Sequence, residues 1–211
     1  KIDVTHEAEI DGMPVGVPPS AREGGLDLEA AYGIETELVQ LRRAAGRNTV
    51  GRKVGFANKA MWRVLKLQTL VWAHMYDDTV KYADDGQATL SLRRMVSPRI
   101  EPEVVFKLKG EPTSGDAVVT LDAVEWVALG FEIVDCPFPG WKFHPVDFVA
   151  SFGLHAGLIV GPPRAVEPGD VERLAALTVR LSKNGELVEE GYGKNALRNP
   201  ALCLGELAAA V

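Results

Sequence analysis

Between Pro98 and Phe106 the chain reads Pro-Arg-Ile-Glu-Pro-Glu-Val-Val-Phe, and from Ile100 onward it alternates. Ile100, Pro102, Val104 and Phe106 take one side; Glu101, Glu103 and Val105 take the other. A period of two is the signature of a half-buried strand, so this stretch commits the fold to a sheet. Two residues of strand advance about 6.6 Å, which makes the Glu101 and Glu103 side chains near neighbours on one face. Like charges so placed repel, and having both ionised is disfavoured unless a cation sits between them. Pro102 inside a strand belongs at an edge or a bulge. Two readings fit: a solvated edge strand whose acids discourage aggregation, or a pair of carboxylates built around a cation.

A chain of 211 residues is long enough for a real core in one domain of ordinary size. Its 46% hydrophobic and 25% charged content is that of a soluble globular protein. A net charge of −6 argues against a nucleic-acid surface, and no apolar run of membrane length or signal peptide is present. Cys136 and Cys203 stand far apart in no metal or redox spacing, which reads as reduced thiols in a cytoplasm. Residues 1–25, with Pro14, Pro18 and Pro19, read as an irregular N-terminal arm, and residues 26–211 as a single domain. The chain opens at Lys1 without Met and stops within an apolar helix at Val211, so the domain is expected to be truncated at its C-terminal end.

Asp27 is a plausible N-cap for a helix to about Ala45, with Leu28, Ala31, Ile34, Leu38 and Leu41 on its apolar face and Gly46 as its stop. In Val50–Phe56, Val50, Arg52, Val54 and Phe56 share one strand face and Gly51, Lys53 and Gly55 the other. The glycines leave open space beside one amine, which suits a ligand nearing the backbone; a surface lysine on a glycine-rich edge fits as well. Asn58–Leu67 reads as a short helix. Thr69–Asp78 turns abruptly from apolar to acidic; Asp77 and Asp78 are turn formers, or one of them is a base. Asp116–Thr120 reads as loop and short strand, and Asp122 as the cap of a helix through Ala128 that Gly130 breaks. Phe131–Asp135 is a buried strand in which Glu132 needs a counter-charge. Pro137–Pro145 is a rigid aromatic loop around Lys142. In Gly153–Val160 His155 faces away from Leu154, Ala156, Leu158 and Val160, and Asn184-Gly185 marks a type I′ hairpin. A β-rich core with a few helices makes the fold class α+β.

Glu101, Glu103 and Glu132 are hard oxygen donors, suited to Mg²⁺ or Mn²⁺ rather than Zn²⁺. Three such ligands leave positions for water or a chelating substrate. Gly51-Arg52-Lys53-Val54-Gly55, Pro98-Arg99-Ile100-Glu101-Pro102-Glu103 and Phe131-Glu132-Ile133-Val134-Asp135, in this order, resemble the 2-keto-4-pentenoate hydratase and 4-oxalocrotonate decarboxylase family of the fumarylacetoacetate hydrolase superfamily. The resemblance implies a mixed β-roll core with a helical N-terminal part, residues 26–211 being one catalytic domain. It implies Mg²⁺ (or Mn²⁺) at Glu101, Glu103 and Glu132, acid/base roles for Lys53 and Asp78, a small 2-oxo acid substrate and a homo-oligomer. The implied reaction is hydration of 2-hydroxypenta-2,4-dienoate-type acids in aromatic catabolism. Decarboxylation of 4-oxalocrotonate-type acids, a C–C bond hydrolase and a non-catalytic relative are the alternatives. Arg99 and Lys142 are candidates for a substrate carboxylate. One segment departs from the pattern: Ser151-Phe152-Gly153-Leu154-His155 stands where many hydratases carry Asp-Asn-Ala-Ser, so the pocket wall, with His155 as a candidate substrate contact, is changed.

Overall fold

A computed structural model describes residues 14–112 and 115–211, together with the backbone of residues 3–7. In chain order the elements are β1 (Asp3–Glu7), α1 (Leu28–Ala44), β2 (Thr49–Gly55), α2 (Lys59–Leu65), β3 (Val71–Tyr76), β4 (Val80–Tyr82), β5 (Gln87–Ser91), β6 (Pro98–Leu108), α3 (Ala117–Asp122) and β7 (Val124–Asp135). They continue with α4 (Pro145–Val149), β8 (His155–Val160), β9 (Arg164–Ala165), α5 (Asp170–Ala176), β10 (Thr178–Lys183), β11 (Glu186–Tyr192) and α6 (Pro200–Ala210). Pairing is in the order β4-β8-β7-β6 with β9 on β7, and β1–β5, β2–β3 and β10–β11 form separate pairs. The chain divides into two compact units: Lys1–Gly55, Trp72–Glu101 and Gly130–Pro162 make the first, and Phe56–Val71, Pro102–Leu129 and Pro163–Val211 the second.

In the first unit α1 starts where Asp27 accepts the Ala30 N–H at 2.8 Å and stops before Gly46 at φ +83°. Its buried stripe is Ala31, Glu35 and Val39, whereas Ile34 and Leu41 of the predicted face are exposed. The helix is turned because Glu35 is drawn inward: its Oε1 lies 2.8 Å from His74 Nδ1 and accepts the His74 N–H at 3.2 Å. Part of the expected irregular arm is a strand, β1, parallel to β5 with Asp3 opposite Gln87 and Glu7 opposite Ser91; the rest of residues 1–13, and the His6 and Glu7 side chains, lie outside the described residues. Farther along, Ser20 donates its N–H and its hydroxyl to buried Asp147 at 2.7 and 2.6 Å.

In the second unit Leu121, Val124, Val127, Leu174 and Ala201 form a core, with Val104 and Phe106 of β6 packed on it as the alternation predicts. Full burial of such a side chain contributes about 1.5–3 kcal/mol. Residues 116–128 differ from the expected loop, short strand and Asp122-capped helix. Asp116, not Asp122, is the cap, accepting the Val118 and Val119 N–H groups at 2.8 and 3.2 Å, so the helix comes first. Val124–Asp135 is then one strand that passes through Gly130. The Asn184-Gly185 turn forms as predicted, at φ +53° and +88°, between antiparallel β10 and β11.

Asp170 opens α5, buried and held by a fork from Arg164 at 2.8 and 2.6 Å, by Arg173 Nε at 2.9 Å and by the Glu167 N–H at 2.7 Å. The Arg164 bonds, outweighing desolvation, hold its pKa well below the usual carboxylate range. A depressed folded pKa stabilises above the unfolded value of about 3.9 and is lost as pH falls through the folded value. Asp170→Asn is therefore expected to cost about 1–2 kcal/mol at pH 7, the half-exposed arginines being screened. The gap in urea midpoint between variant and wild type should shrink below about pH 4.

No described helix is long and apolar enough to cross a membrane. Cys136 and Cys203 are both free and buried.

Candidate metal centre and active site

β2 turns its glycine face inward and carries Lys53 with it. The expected open space beside the amine is filled by Phe148: a Cβ on Gly55 would lie 2.6 Å from the Phe148 ring. The same ring lies 4.8 Å from Lys53 Nζ, a cation–π distance. Lys53 Nζ pairs with Glu132 Oε2 at 2.8 Å and donates to the Gly153 carbonyl at 3.1 Å. The two side chains are 7% and 2% exposed, which makes the pair a buried one. Glu132 thus finds the counter-charge its apolar neighbours on β7 called for. Its other oxygen, Oε1, lies 2.8 Å from His155 Nδ1, and His155 Nε2 lies 2.9 Å from Thr79 Oγ1.

One carboxylate oxygen from each of Glu101, Glu103 and Glu132 lies within 4.8 Å of the others, on the adjacent strands β6 and β7. Glu101 is at the strand surface, but its carboxylate faces the buried Lys53–Glu132 pair. Lost hydration raises its pKa; the Lys53 charge opposes this, the Glu132 charge adds to it and Arg99 opposes it again. Three converging carboxylates facing one ammonium leave excess negative charge, and an all-oxygen donor set fits a hard divalent cation.

The turn before β8 is left-handed over three consecutive residues, Phe152, Gly153 and Leu154, at φ +55°, +62° and +56°. Two of them carry side chains, at about 1–2 kcal/mol each. This turn delivers the Gly153 carbonyl to Lys53 and starts the strand that carries His155. Phe152 meets the Tyr76 ring edge-on at 6.3 Å, and the Arg42 guanidinium lies 3.7 Å over Phe152 and 4.5 Å over Tyr76. Phe152, Leu38, Asp135, Pro137 and His155 line a cleft of about 430 Å³.

Lys53, Glu101, Glu103, Glu132 and His155 therefore come together as a group. Arg99 is exposed, its guanidinium 3.9 Å over Trp141, and its charge reaches Glu101. Lys142 is exposed on the aromatic loop. Asp78 sits in an exposed turn paired with Arg47 at 3.2 Å, and the contact from that turn to the group comes from Thr79. Thr79 was not singled out from the sequence; its one signal was a hydroxyl beside the Asp77-Asp78 turn.

The fold is that of fumarylacetoacetate hydrolase-type decarboxylases. A solved structure, 4-oxalocrotonate decarboxylase from Pseudomonas putida G7 complexed with magnesium and adipate, matches with a TM-score of 0.72 and 25% identity, covering 88% of this chain and 70% of that one. The 2-hydroxypent-2,4-dienoate hydratase of Pseudomonas putida is 32% identical over 98% of this chain and 91% of its own length. The 2-hydroxyhexa-2,4-dienoate hydratase of Comamonas testosteroni is 31% identical over 87% of this chain and 69% of its own. The chain belongs to the family of 2-hydroxypentadienoate hydratases and 4-oxalocrotonate decarboxylases. A scan of protein-family profiles finds no match.

Proposed function

We propose that this chain is a divalent-metal-dependent lyase that hydrates 2-hydroxypenta-2,4-dienoate-type acids to 4-hydroxy-2-oxo acids. The observation that carries the proposal is the convergence of Glu101, Glu103 and Glu132 beside a buried lysine. Mg²⁺ or Mn²⁺ suits these donors, and when bound it supplies positive charge where negative charge develops on a 2-oxo acid. Lys53 is the candidate for moving a proton to or from the substrate carbon, a role supported by its burial between Glu132 and the Gly153 carbonyl. Arg99, its guanidinium carbon 3.9 Å over the Trp141 ring, is the candidate for gripping a carboxylate bidentately, with Lys142 as the second. Asp78 serves water activation only if its ion pair with Arg47 opens. The exposed Ile34 and Leu41 of α1 support a homo-oligomer, and two buried free thiols fit a reducing cytoplasm.

The test is incubation with Mg²⁺ and, separately, 2-hydroxypenta-2,4-dienoate and 4-oxalocrotonate. The dienoate is expected to give a 4-hydroxy-2-oxo acid, whereas CO₂ release from oxalocrotonate alone would favour the decarboxylase. Turnover of neither counts against both. Glu103→Gln is expected to abolish metal-dependent turnover with the circular dichroism spectrum unchanged; retained activity would sink the metal assignment.

A further inference from the structure

We propose that His155, backed by Thr79, is a positioning residue that holds the Glu132 carboxylate in the orientation a divalent cation requires. The inference rests on the metal reading above and concerns how this chain builds that site. Glu132 reaches its place through three torsions, and its ion pair with Lys53 fixes only Oε2. His155 pins the other oxygen at 2.8 Å. A carboxylate accepts only, so Nδ1 donates, and about two of the carboxylate's four lone-pair directions remain for a cation shared with Glu101 and Glu103, whose oxygens lie within 4.8 Å.

His155 has no ring nitrogen left for a substrate. Nε2 is 2.9 Å from the Thr79 hydroxyl, which is itself 3.0 Å from the Tyr76 carbonyl at the end of β3. The imidazole side chain is 1% exposed, so the ring is clamped from both ends. The backbone shows how the contact is built. β7 and β8 pair Glu132 with Leu158 and Ile133 with Gly157, and the register then shifts so that Val134 meets His155. Continued regularly, the ladder would set His155 against Asp135, on the face away from Glu132, because opposed residues share a face and side chains alternate. The bulge moves His155 to the face shared by Val134 and Glu132. The left-handed turn at Phe152, Gly153 and Leu154 leads directly into that bulge. A backbone irregularity and two strained residues thus converge on one imidazole, in the segment where the sequence departs from the pattern it otherwise resembles. Such outer contacts to ligands set metal affinity.

The experiment is calorimetric titration of the whole chain with Mg²⁺ alone, no substrate present. His155→Ala is expected to weaken Mg²⁺ binding by about 10–100-fold. His155→Asn, whose amide N–H takes the place of Nδ1–H, is expected to recover most of that loss. Thr79→Val should lose affinity in the same direction by a smaller factor, and Thr79→Ser should restore it. Wild-type affinity in His155→Ala, or a loss in His155→Asn equal to that in His155→Ala, overturns the positioning role while leaving the metal site standing. Wild-type protein that takes up no Mg²⁺ overturns the metal reading and this proposal with it. Should His155→Ala not fold, Thr79→Val decides: unchanged affinity overturns the proposal.

Discussion

Glu132→Ala is expected to cost about 3–5 kcal/mol of unfolding free energy, the penalty for stripping the partner from a buried charge. Lys53 would be left beside Phe148 with the Gly153 carbonyl as its hydrogen-bond acceptor and without its ion-pair partner, Glu101 acting on it only through its charge. Urea titration at pH 7 measures this directly. A loss under about 1 kcal/mol would mean that water reaches the ammonium and that the pair is not buried in solution. Mg²⁺ binding should disappear in the same variant. Glu132→Gln separates the two effects: it keeps the shape and one acceptor oxygen while removing the charge that both Lys53 and the cation need.

Lys53→Ala is expected to lower the turnover rate by about 10²–10⁴-fold, the usual range for removing a proton-transfer group. Magnesium affinity should stay within a few-fold of wild type, because Glu132 keeps its bond to His155 and the cation offsets its charge. A large loss of metal binding would show that the lysine holds the carboxylate cage together rather than moving protons. Without metal the same variant should be destabilised by about 3–5 kcal/mol, its carboxylate now uncompensated. Pairing Lys53→Met with Glu132→Leu should recover much of that stability, since an apolar pair of similar volume replaces a buried ion pair at little cost. The double variant should nevertheless be inactive, because stability and activity make different demands on the same two side chains.

The parts legible in the sequence are those set by local chemistry. Asp27 before α1, Asn184-Gly185 in its hairpin and the alternation of β6 each rest on neighbouring residues, and each appears as expected. The carboxylates of β6 and β7 were legible because charge at strand spacing is conspicuous among apolar neighbours. Some of what the sequence hides depends on partners far along the chain. The face of α1 turned on Glu35 finding His74, and β1 on a strand eighty residues later. Around Asp116 two acids competed as caps, and the β-branched Val118, Val119 and Thr120 disguised a helix. Gly130 reads as a breaker, yet β7 runs through it with both neighbours in the strand. His155 illustrates the limit most clearly, since one extra residue in a ladder decides its face and no period in the sequence records that.

The interleaving of the two units bears on how the chain is made. The first unit opens with a segment ending at Gly55 and does not close until Pro162. At about 5–20 residues per second, Lys53 leaves the ribosome on the order of ten seconds before Gly153 and several seconds before Glu132. For that time β2 and β3 exist without the strand that neutralises their lysine or the ring that fills their glycine face. A stalled fragment ending anywhere before residue 132 would carry an ammonium destined for the interior with nothing to bury it against.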